Sequence, residues 1–393
     1  MIDLSIDFCG LHFENPFLLS SAPPTGNGEM IRRAFDVGWA GAITKTLGLR
    51  PMNNVRPRFA SLKVGNDLAG FGNVEQITDK ELSNWLTEIR GIKHDYPNKI
   101  IVASAMAPAN PEKWQTLIQR INSAGPDMIE LNLSCPHIAE KGLGSDIGQD
   151  LEQTEKVVRW VKEVAEVPVM AKLTPNVTDI VTIGKAAKSG GADALSAINT
   201  IRAFMGIDLE TMEPKLNVNG LSAFSGLSGP CVKPIALRCV VQLAKIELPI
   251  SGIGGITDWR DATEFLLCGA TTLQMATVVM RNGFAIIGDL KDGLSNYLYE
   301  KGFTSVNDII GKMLPKVVPS GDLDFFYKVV SEIDQTKCIG CGLCYVACRD
   351  GGYSAITFDE ERSPRVDEKK CDGCSLCMHV CPVPDCIKMK KDV

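Results

Sequence analysis

The sequence of 393 residues lacks the features that would indicate a membrane protein or a nucleic-acid-binding protein. It contains no apolar run of about 18 residues, so we expect no transmembrane helix. The formal net charge is −6, which predicts no basic surface for nucleic acid or anionic lipid. The first residues, MIDLSIDFCGLHFENP, include acidic side chains and no basic segment. We therefore expect no signal peptide and a cytoplasmic location.

Cysteines, by contrast, are plentiful and unevenly distributed. Five are scattered through the first 330 residues (Cys9, Cys135, Cys231, Cys239 and Cys268), and the other nine of the 14 lie within 338–386. Clustered thiols in an intracellular protein indicate metal binding rather than disulfides.

The chain between Phe17 and about Gly302 alternates short apolar runs with longer amphipathic segments. The apolar runs predict strands at 17–22, 41–46, 99–106, 127–134, 167–174, 193–199, 248–254 and 271–277. Helix-like segments such as 110–124, 149–166, 178–190, 232–246 and 258–269 lie between them. Eight strand–helix units within roughly 290 residues are typical of a (β/α)8 TIM barrel. A doubly wound open sheet is the alternative with the same periodicity.

These patterns predict two domains. Residues 1–310 would form the barrel, and 311–332, which contain Pro315 and Pro319, would be a linker. Residues 333–393 would form a small C-terminal domain with short apolar runs. A core of that size needs additional stabilisation, which bound metal clusters would supply.

The cysteine spacing of this C-terminal domain is that of a bacterial ferredoxin with two [4Fe–4S] clusters. Two C-x2-C-x2-C-x3-C runs are present. Pro382 follows the second run, whereas Arg349 replaces proline at the corresponding position after the first. The fourth cysteine of each run ligates the other cluster. Zinc is the alternative, but it usually takes separated pairs of ligands. The predicted ligand sets are Cys338, Cys341, Cys344 and Cys381 for the first cluster, and Cys371, Cys374, Cys377 and Cys348 for the second. Cys386 is interpreted as a packing thiol.

No G-x-G-x-x-G motif follows a predicted strand, so the sequence gives no evident nicotinamide site. Iron–sulfur clusters pass single electrons and cannot accept a hydride from a nicotinamide. We therefore predict a separate partner subunit that binds FAD and NAD(P)H.

Candidate catalytic and cofactor-binding residues lie where the predicted strands end, the usual location of active sites in this fold. Gly254-Gly255 follows strand 7 and could approach a phosphate, although an ordinary turn is the alternative. Lys45 and Lys172 lie in apolar strands. Each could neutralise negative charge on a reduced flavin or, alternatively, form a buried ion pair.

The ends of strands 4 and 6 carry groups suited to a heterocyclic substrate. Asn132, Ser134 and Cys135 end strand 4, and Asn199-Thr200 ends strand 6. Asparagine amides complement cyclic imide or ureide edges. Cys135 could be a general acid or base acting on carbon, with a small core residue as the alternative.

With these motifs, the chain resembles the dihydropyrimidine dehydrogenase family, specifically its bacterial catalytic subunit. The resemblance covers essentially the whole chain and rests on GFGNVEQ (70–76), ELNLSCPH (130–137), AKLTPNVTDI (171–180), INT (198–200), VKPIALR (232–238), GIGGI (252–256) and the two cysteine runs. It implies that Cys135 is the proton donor and acceptor. It also implies pyrimidine binding by Asn73, Asn132, Ser134, Asn199 and Thr200, and FMN binding by Ser20, Ser21, Lys45, Thr46, Lys172, Gly229, Gly254, Gly255, Ala276 and Thr277.

The resemblance further implies reduction of uracil and thymine by hydride transfer from FMN N5 to C6, with Cys135 protonating C5 and electrons supplied through the clusters. It implies that segment 142–150 is a mobile loop, and it points to an NADH-dependent heteromeric complex and a barrel homodimer. Two alternatives remain. A dihydroorotate dehydrogenase would share the barrel and flavin, but its usual asparagine is replaced here by His137. A non-catalytic ferredoxin-type electron carrier is the other.

Overall fold

The computed structural model describes residues 2–135 and 143–391. It divides the chain into two compact units, Met1–Val317 and Val318–Val393. The boundary falls inside the predicted linker 311–332, whose last residues belong to a strand that begins at Val329. Within the described residues, no helix is long and apolar enough to cross a membrane.

The first unit contains alternating strands and helices. Its strands are β1 (Ile6–Phe8), β2 (Leu11–Phe13), β3 (Phe17–Leu19), β4 (Gly41–Ile43), β5 (Phe59–Val64), β6 (Asp67–Asn73), β7 (Ile100–Ala105), β8 (Met128–Asn132), β9 (Val169–Lys172), β10 (Ala194–Ala197), β11 (Ile201–Ala203), β12 (Ile207–Asp208), β13 (Glu213–Pro214), β14 (Ser225–Ser228), β15 (Ile250–Ile253) and β16 (Thr272–Met275). Its α-helices are α1 (Gly28–Asp36), α2 (Leu82–Asp95), α3 (Pro111–Asn122), α4 (Ser145–Gly148), α5 (Leu151–Lys162), α6 (Ile180–Ser189), α7 (Lys233–Leu243), α8 (Trp259–Leu267), α9 (Thr277–Asn282) and α10 (Ile286–Glu300).

The eight predicted strands close into a parallel barrel in the order β3-β4-β7-β8-β9-β10-β15-β16. β16 pairs with β3, which closes the ring, so the barrel prediction is confirmed and the open sheet is excluded. The barrel strands are almost completely buried, as their continuous apolar runs predict.

Side-chain caps and apolar faces explain why the outer helices form where they do. At the start of α3, Asn110 accepts a hydrogen bond from the Lys113 amide at 3.0 Å, and Pro111 occupies the first helical position. Asp258 accepts hydrogen bonds from two amides in the first turn of α8. The apolar face of α3 is buried, and Trp114 on that face is fully buried.

A four-stranded antiparallel sheet, which the sequence patterns do not predict, joins two insertions in the barrel. Its order is β11-β14-β6-β5. β5 and β6 follow barrel strand β4, whereas β11 and β14 follow barrel strand β10. The pairing places Asn73 of β6 opposite Gly226 of β14. Both insertions leave the C-terminal ends of barrel strands, where active sites of this fold lie.

The described part of the second unit contains two antiparallel strand pairs and two α-helices. Their bounds are β17 (Val329–Ile333), α11 (Leu343–Asp350), β18 (Ile356–Phe358), β19 (Pro364–Val366), α12 (Leu376–His379) and β20 (Ile387–Lys391). β17 pairs with β20, and β18 pairs with β19. The buried apolar cluster is small and mostly cysteine: Cys344, Ile356, Cys377, Cys386 and Ile387. Such a core agrees with the expectation that bound clusters stabilise this unit.

Candidate active site

A pocket opens at the C-terminal ends of the barrel strands and, with the space at its mouth, encloses roughly 1040 Å³. Ser134 is the one predicted barrel-site residue outside its lining. The lining contains the others: Ser20, Ser21, Lys45, Thr46, Asn73, Asn132, Cys135, Lys172, Asn199, Thr200, Gly229, Gly254, Gly255, Ala276 and Thr277.

A buried ion pair borders this pocket. Lys172, at the end of β9, is only 4% exposed, and its Nζ lies 3.4 Å from a Glu130 carboxylate oxygen and 3.4 Å from Ser20 Oγ. Glu130 on β8 is fully buried. Its other oxygen accepts hydrogen bonds from Ser196 at 2.9 Å and from Gln274 at 3.0 Å. The ion pair left open for Lys172 by the sequence is therefore present, and Lys172 lines the pocket at the same time.

A second ion pair holds Lys45. One carboxylate oxygen of Glu75 lies 2.5 Å from Lys45 Nζ, and the other lies 2.5 Å from Arg58 Nε. Burial raises the pKa of the Glu75 carboxyl, but the two cations more than offset this effect and hold the pKa below its ordinary value. Glu75 is therefore ionised at neutral pH, and both pocket lysines have a glutamate partner.

The side chains at the ends of β8 and β10 form one hydrogen-bonded cluster. Asn199 Nδ2 donates to Ser134 Oγ at 2.8 Å and to Asn132 Oδ1 at 3.3 Å. Asn132 Nδ2 donates to Thr46 Oγ1 at 2.9 Å. Ser134 is fully buried, and its hydroxyl also donates to Asn132. Ser134 therefore lies on the side of the two asparagines that faces away from the pocket, and its hydrogen bonds fix their orientation.

Asn73 reaches the pocket from the four-stranded sheet. Its amide nitrogen donates to the Gly226 carbonyl at 3.1 Å, and its oxygen accepts the Glu75 backbone N–H at 3.2 Å. The side chain is thus oriented by two backbone groups. The predicted motif GFGNVEQ contributes Asn73, Glu75 and Gln76 to the pocket lining, and β14 of the same sheet contributes Ser228.

Cys135 precedes the predicted mobile loop 142–150 in the sequence. Its carbonyl accepts the Ser145 amide at 3.0 Å, so the chain returns to Cys135 after residues 136–142. Gly144 has φ +55°, and a Cβ there would lie 2.6 Å from the Cys135 carbonyl oxygen. His137 and Gly142, which entered the sequence predictions, lie outside the described residues. The remaining part of the predicted loop contains the short helix α4.

In the second unit, the eight predicted cluster ligands surround two separate cavities. The first cavity is lined by Cys338, Cys341, Cys344 and Cys381. The second is lined by Cys348, Cys371, Cys374 and Cys377. Each cavity therefore takes three cysteines from one run and the fourth from the other run, as the ferredoxin spacing predicts. The surplus residue Cys386 is buried and lines the first cavity.

Comparison with known proteins agrees with both units. Residues 3–298 match the family model described as "Dihydroorotate dehydrogenase", and residues 331–389 match "4Fe-4S dicluster domain". The chain is 47% identical to NAD-dependent dihydropyrimidine dehydrogenase subunit PreA of Escherichia coli (strain K12), over 98% of this chain and 95% of that protein. The chain belongs to the dihydropyrimidine dehydrogenase family.

The chain is also similar to two further relatives, which come from a plant and an archaeon. Dihydropyrimidine dehydrogenase (NADP(+)), chloroplastic, of Arabidopsis thaliana is 37% identical over 82% of this chain and 79% of its own length. The catalytic subunit of dihydroorotate dehydrogenase B (NAD(+)) of Pyrococcus furiosus is 41% identical over 79% of this chain and 98% of its own length. Members of the dihydropyrimidine dehydrogenase family are oxidoreductases, so this chain is an enzyme with FMN and [4Fe–4S] clusters as cofactors, not a carrier.

The pocket of this dihydropyrimidine dehydrogenase family member fits a flavin phosphate. Gly254 and Gly255 have φ of +120° and +83°, and a Cβ on Gly255 would lie 2.7 Å from the Lys233 backbone nitrogen. Only glycine can make this turn, which leaves bare backbone at the pocket. Gln274 Oε1 is buried and has no hydrogen-bond partner among the described residues. A bound group with N–H donors would satisfy this acceptor.

The cysteine cavities fit iron–sulfur clusters better than zinc. In the part of the chain that the structure describes, no three Cys, His, Asp or Glu side chains are arranged to hold a single metal ion. The four sulfurs of each set instead line a cavity, as a polynuclear cluster requires. The residues present therefore fit two cubanes.

The residues that sequence reasoning missed are the partners of the lysines. Glu130, in the apolar run DMIELNLS, and Gln274, in TTLQMAT, are isolated polar residues within predicted core strands. Burying a carboxylate without a cation is unfavourable. Glu130 in an apolar strand therefore indicates that a buried lysine lies beside it. The motif GFGNVEQ contains Glu75 but does not indicate that this carboxylate pairs with Lys45 and Arg58.

Removal of iron is expected to unfold the second unit while the barrel stays folded, because the second unit has so small an apolar core. Limited proteolysis with mass spectrometry, before and after oxidative removal of the clusters with chelator, measures this. Cleavage should become rapid within 318–393 and stay slow within the barrel. Equal protease resistance of the two forms would show that the clusters do not stabilise this unit.

Proposed function

We propose that the chain is the catalytic subunit of a NAD-dependent dihydropyrimidine dehydrogenase that reduces uracil and thymine to their 5,6-dihydro forms. The observation that supports this most directly is a pocket shared by Cys135 and the amides of Asn73, Asn132 and Asn199. Each amide offers a donor and an acceptor, which complement the alternating N–H and C=O groups of a pyrimidine edge. The name of the Escherichia coli relative describes the same activity.

The asparagine cluster orients the pyrimidine in this proposal, and Thr200 completes its polar edge. Asn132 and Asn199 are hydrogen-bonded to each other and to Ser134 before substrate arrives. A pre-oriented set of donors and acceptors reduces the entropy lost when substrate binds in a reactive position. Ser134 contributes to pyrimidine binding through these asparagines.

Cys135 is the proposed general acid. FMN, when bound, supplies the hydride that is added to C6 of the pyrimidine. The Cys135 thiol gives its proton to C5 from the opposite face, so one hydride and one proton are added across the C5–C6 double bond. The resulting thiolate takes a proton from water before the next turnover. In the reverse direction the thiolate accepts the C5 proton.

The flavin site in this proposal combines cations with small and polar side chains. Lys172 and Lys45 stabilise negative charge on the bound group, and their glutamate partners hold them in position. The glycine turn and the hydroxyls would hold the phosphate and ring. The proposed FMN-binding residues are Ser20, Ser21, Lys45, Thr46, Lys172, Gly229, Gly254, Gly255, Ala276 and Thr277.

Orotate is the competing substrate, because the Pyrococcus furiosus relative is named a dihydroorotate dehydrogenase subunit. Orotate carries a carboxylate that needs a cation or several donors. Among the described residues, both cations that line the pocket are already paired with a glutamate: Lys45 with Glu75, and Lys172 with Glu130. This arrangement favours uracil and thymine, which are uncharged.

The electron supply proposed for this chain comes from a partner. The eight cysteines would hold two clusters, which would supply single-electron transfer to FMN, and a separate subunit with FAD would accept the hydride of NADH or NADPH. The relative in Escherichia coli is named a subunit, which supports a heteromeric enzyme. A homodimer of the barrel and a cytoplasmic location complete the proposal.

A substrate comparison tests the function. The full chain with FMN and both clusters is assayed anaerobically with a chemical electron donor and uracil, thymine or orotate. We expect dihydropyrimidine formation from uracil and thymine, with kcat/KM for each exceeding that for orotate by at least about tenfold, because a buried unpaired carboxylate costs more than 1.4 kcal/mol. Turnover of orotate alone would assign the chain to the dihydroorotate dehydrogenases instead.

A further inference from the structure

The two cluster cavities are related by an internal repeat in the second unit. The Asp334 carbonyl accepts the Cys338 amide at 3.0 Å, and the Asp367 carbonyl accepts the Cys371 amide at 3.0 Å. Each aspartate therefore holds the first cysteine of its run in the same way. The repeat allows equivalent positions around the two cavities to be compared directly.

Three positions break this equivalence next to the ligands, and one of them follows the first cysteine of each run, where Ile339 lines the first cavity and Asp372 the second. Ser331 and Pro364 stand at the same distance before the first cysteine of their runs, and each lines the cavity formed mainly by the other run. The second cavity therefore has a hydroxyl where the first has a proline ring. Cys386 and Ala355 form the third pair, since their carbonyls accept the equivalent Asp334 and Asp367 amides.

The Ser331 hydroxyl is directed at ligand sulfurs. Ser331 lies on β17, is 4% exposed, and its Oγ is 3.0 Å from Cys377 Sγ and 3.8 Å from Cys371 Sγ. Its other polar contact is Met389 Sδ at 3.7 Å, a weak acceptor. A cysteine that ligates iron is a thiolate and can only accept. The hydroxyl therefore donates to Cys377.

The first cavity has no corresponding hydroxyl donor among the described residues that line it. The Cys386 thiol lies 3.6 Å from the Asp334 carbonyl and also makes a hydrogen bond with the ligand Cys381, so a thiol occupies this side of the first cavity. Backbone donors are balanced between the cavities: Gly340 N donates to Cys338 Sγ at 3.4 Å, and Ala355 N donates to Cys348 Sγ at 3.3 Å. Tyr353 and Asp372 also line the second cavity, and they are hydrogen-bonded to each other. The Ser331 hydroxyl is 3.0 Å from a ligand sulfur.

We propose that Ser331 is a positioning residue whose hydrogen bond to Cys377 raises the reduction potential of the second cluster, ligated by Cys348, Cys371, Cys374 and Cys377. Reduction places additional negative charge on the cluster and its thiolates. A hydrogen bond to a ligand sulfur stabilises that charge, and hydrogen bonds to sulfur are among the factors that set cluster potentials.

The test compares Ser331→Val with Ser331→Thr, because these side chains have the same shape and only threonine keeps the hydroxyl. The full chain with both clusters is titrated potentiometrically and followed by electron paramagnetic resonance. We expect valine to lower the reduced-to-oxidised ratio of one cluster about tenfold at a fixed potential, a shift of about 59 mV for one electron. In the threonine variant, the reduction potential of that cluster should differ from its value in the unmodified chain by less than a third of this shift. The potential of the other cluster should be unchanged in both variants.

Equal potentials in the valine and threonine variants would overturn the proposal, because packing rather than the hydroxyl would then set the potential. So would a valine variant identical to the unmodified chain. Ser331→Ala replaces valine if valine prevents cluster assembly. The inference rests on the proposed ligand sets, which iron analysis tests separately. An unmodified chain with fewer than roughly eight iron atoms would overturn those sets first and the inference with them.

Discussion

Replacing Cys135 with alanine is expected to lower turnover of uracil about 10²- to 10⁴-fold, the usual contribution of a general acid. The residue lines the pocket together with Asn132 and Asn199, which are held by hydrogen bonds to each other, to Ser134 and to Thr46. FMN and iron content should therefore be unchanged. Steady-state kinetics with a chemical electron donor, together with flavin and iron analysis of the same preparation, measure the effect.

The matched control is Cys268→Ala, which removes a partly buried thiol at the end of α8, outside the pocket lining. This variant should retain full turnover. If Cys135→Ala were as active as the control, Cys135 would have no part in proton transfer. If it lost FMN as well, its role would be structural.

Replacing Lys172 with methionine is expected to lower the free energy of unfolding of the barrel by about 3–5 kcal/mol, the usual cost of removing one partner from a buried ion pair. Glu130 is fully buried and would keep only Ser196 and Gln274 as partners. FMN retention should fall as well, because Lys172 lines the pocket. Chemical denaturation followed by tryptophan fluorescence, with flavin analysis, measures both effects.

Two variants make this experiment specific. Lys156→Met removes a lysine from an exposed pair with Glu152 on α5 and should leave stability unchanged. Combining Lys172→Met with Glu130→Gln removes the unpaired buried charge and should recover part of the lost stability. A Lys172→Met protein as stable as the unmodified chain would show that this ion pair does not stabilise the barrel.

The barrel could be predicted because its strands are local patterns. Each is an apolar run bounded by turn or cap residues, and eight such runs at even spacing allow few architectures. The four-stranded sheet could not be predicted in the same way. β6 and β14 are rich in glycine and serine, and they pair although they are far apart in sequence. Pairing between strands that are far apart in the sequence produces no periodic pattern of apolar residues.

The same difference applies to the candidate site. Some of its features follow from local sequence patterns, whereas others depend on contacts between strands that are far apart in the sequence. The sequence identified Lys172 as a residue needing a partner but could not select Glu130, because that choice depends on strand register. The Cα of Lys172 pairs with that of Asn132, and Glu130 lies two residues earlier on the same strand. Ser134 was assigned to pyrimidine binding from its motif alone. Only the fold shows that Ser134 contacts Asn132 and Asn199 on the side that faces away from the pocket.

The central claim is that electrons delivered singly through the clusters are paired on FMN and leave as a hydride to a pyrimidine. A single-turnover experiment tests this claim most directly: the full chain with its cofactors is reduced anaerobically with a known amount of dithionite and mixed with uracil. We expect the absorbance of oxidised flavin to return as dihydrouracil forms, one molecule for every two electrons removed from the protein. A flavin that stays reduced in excess uracil, with no product formed, would contradict the claim.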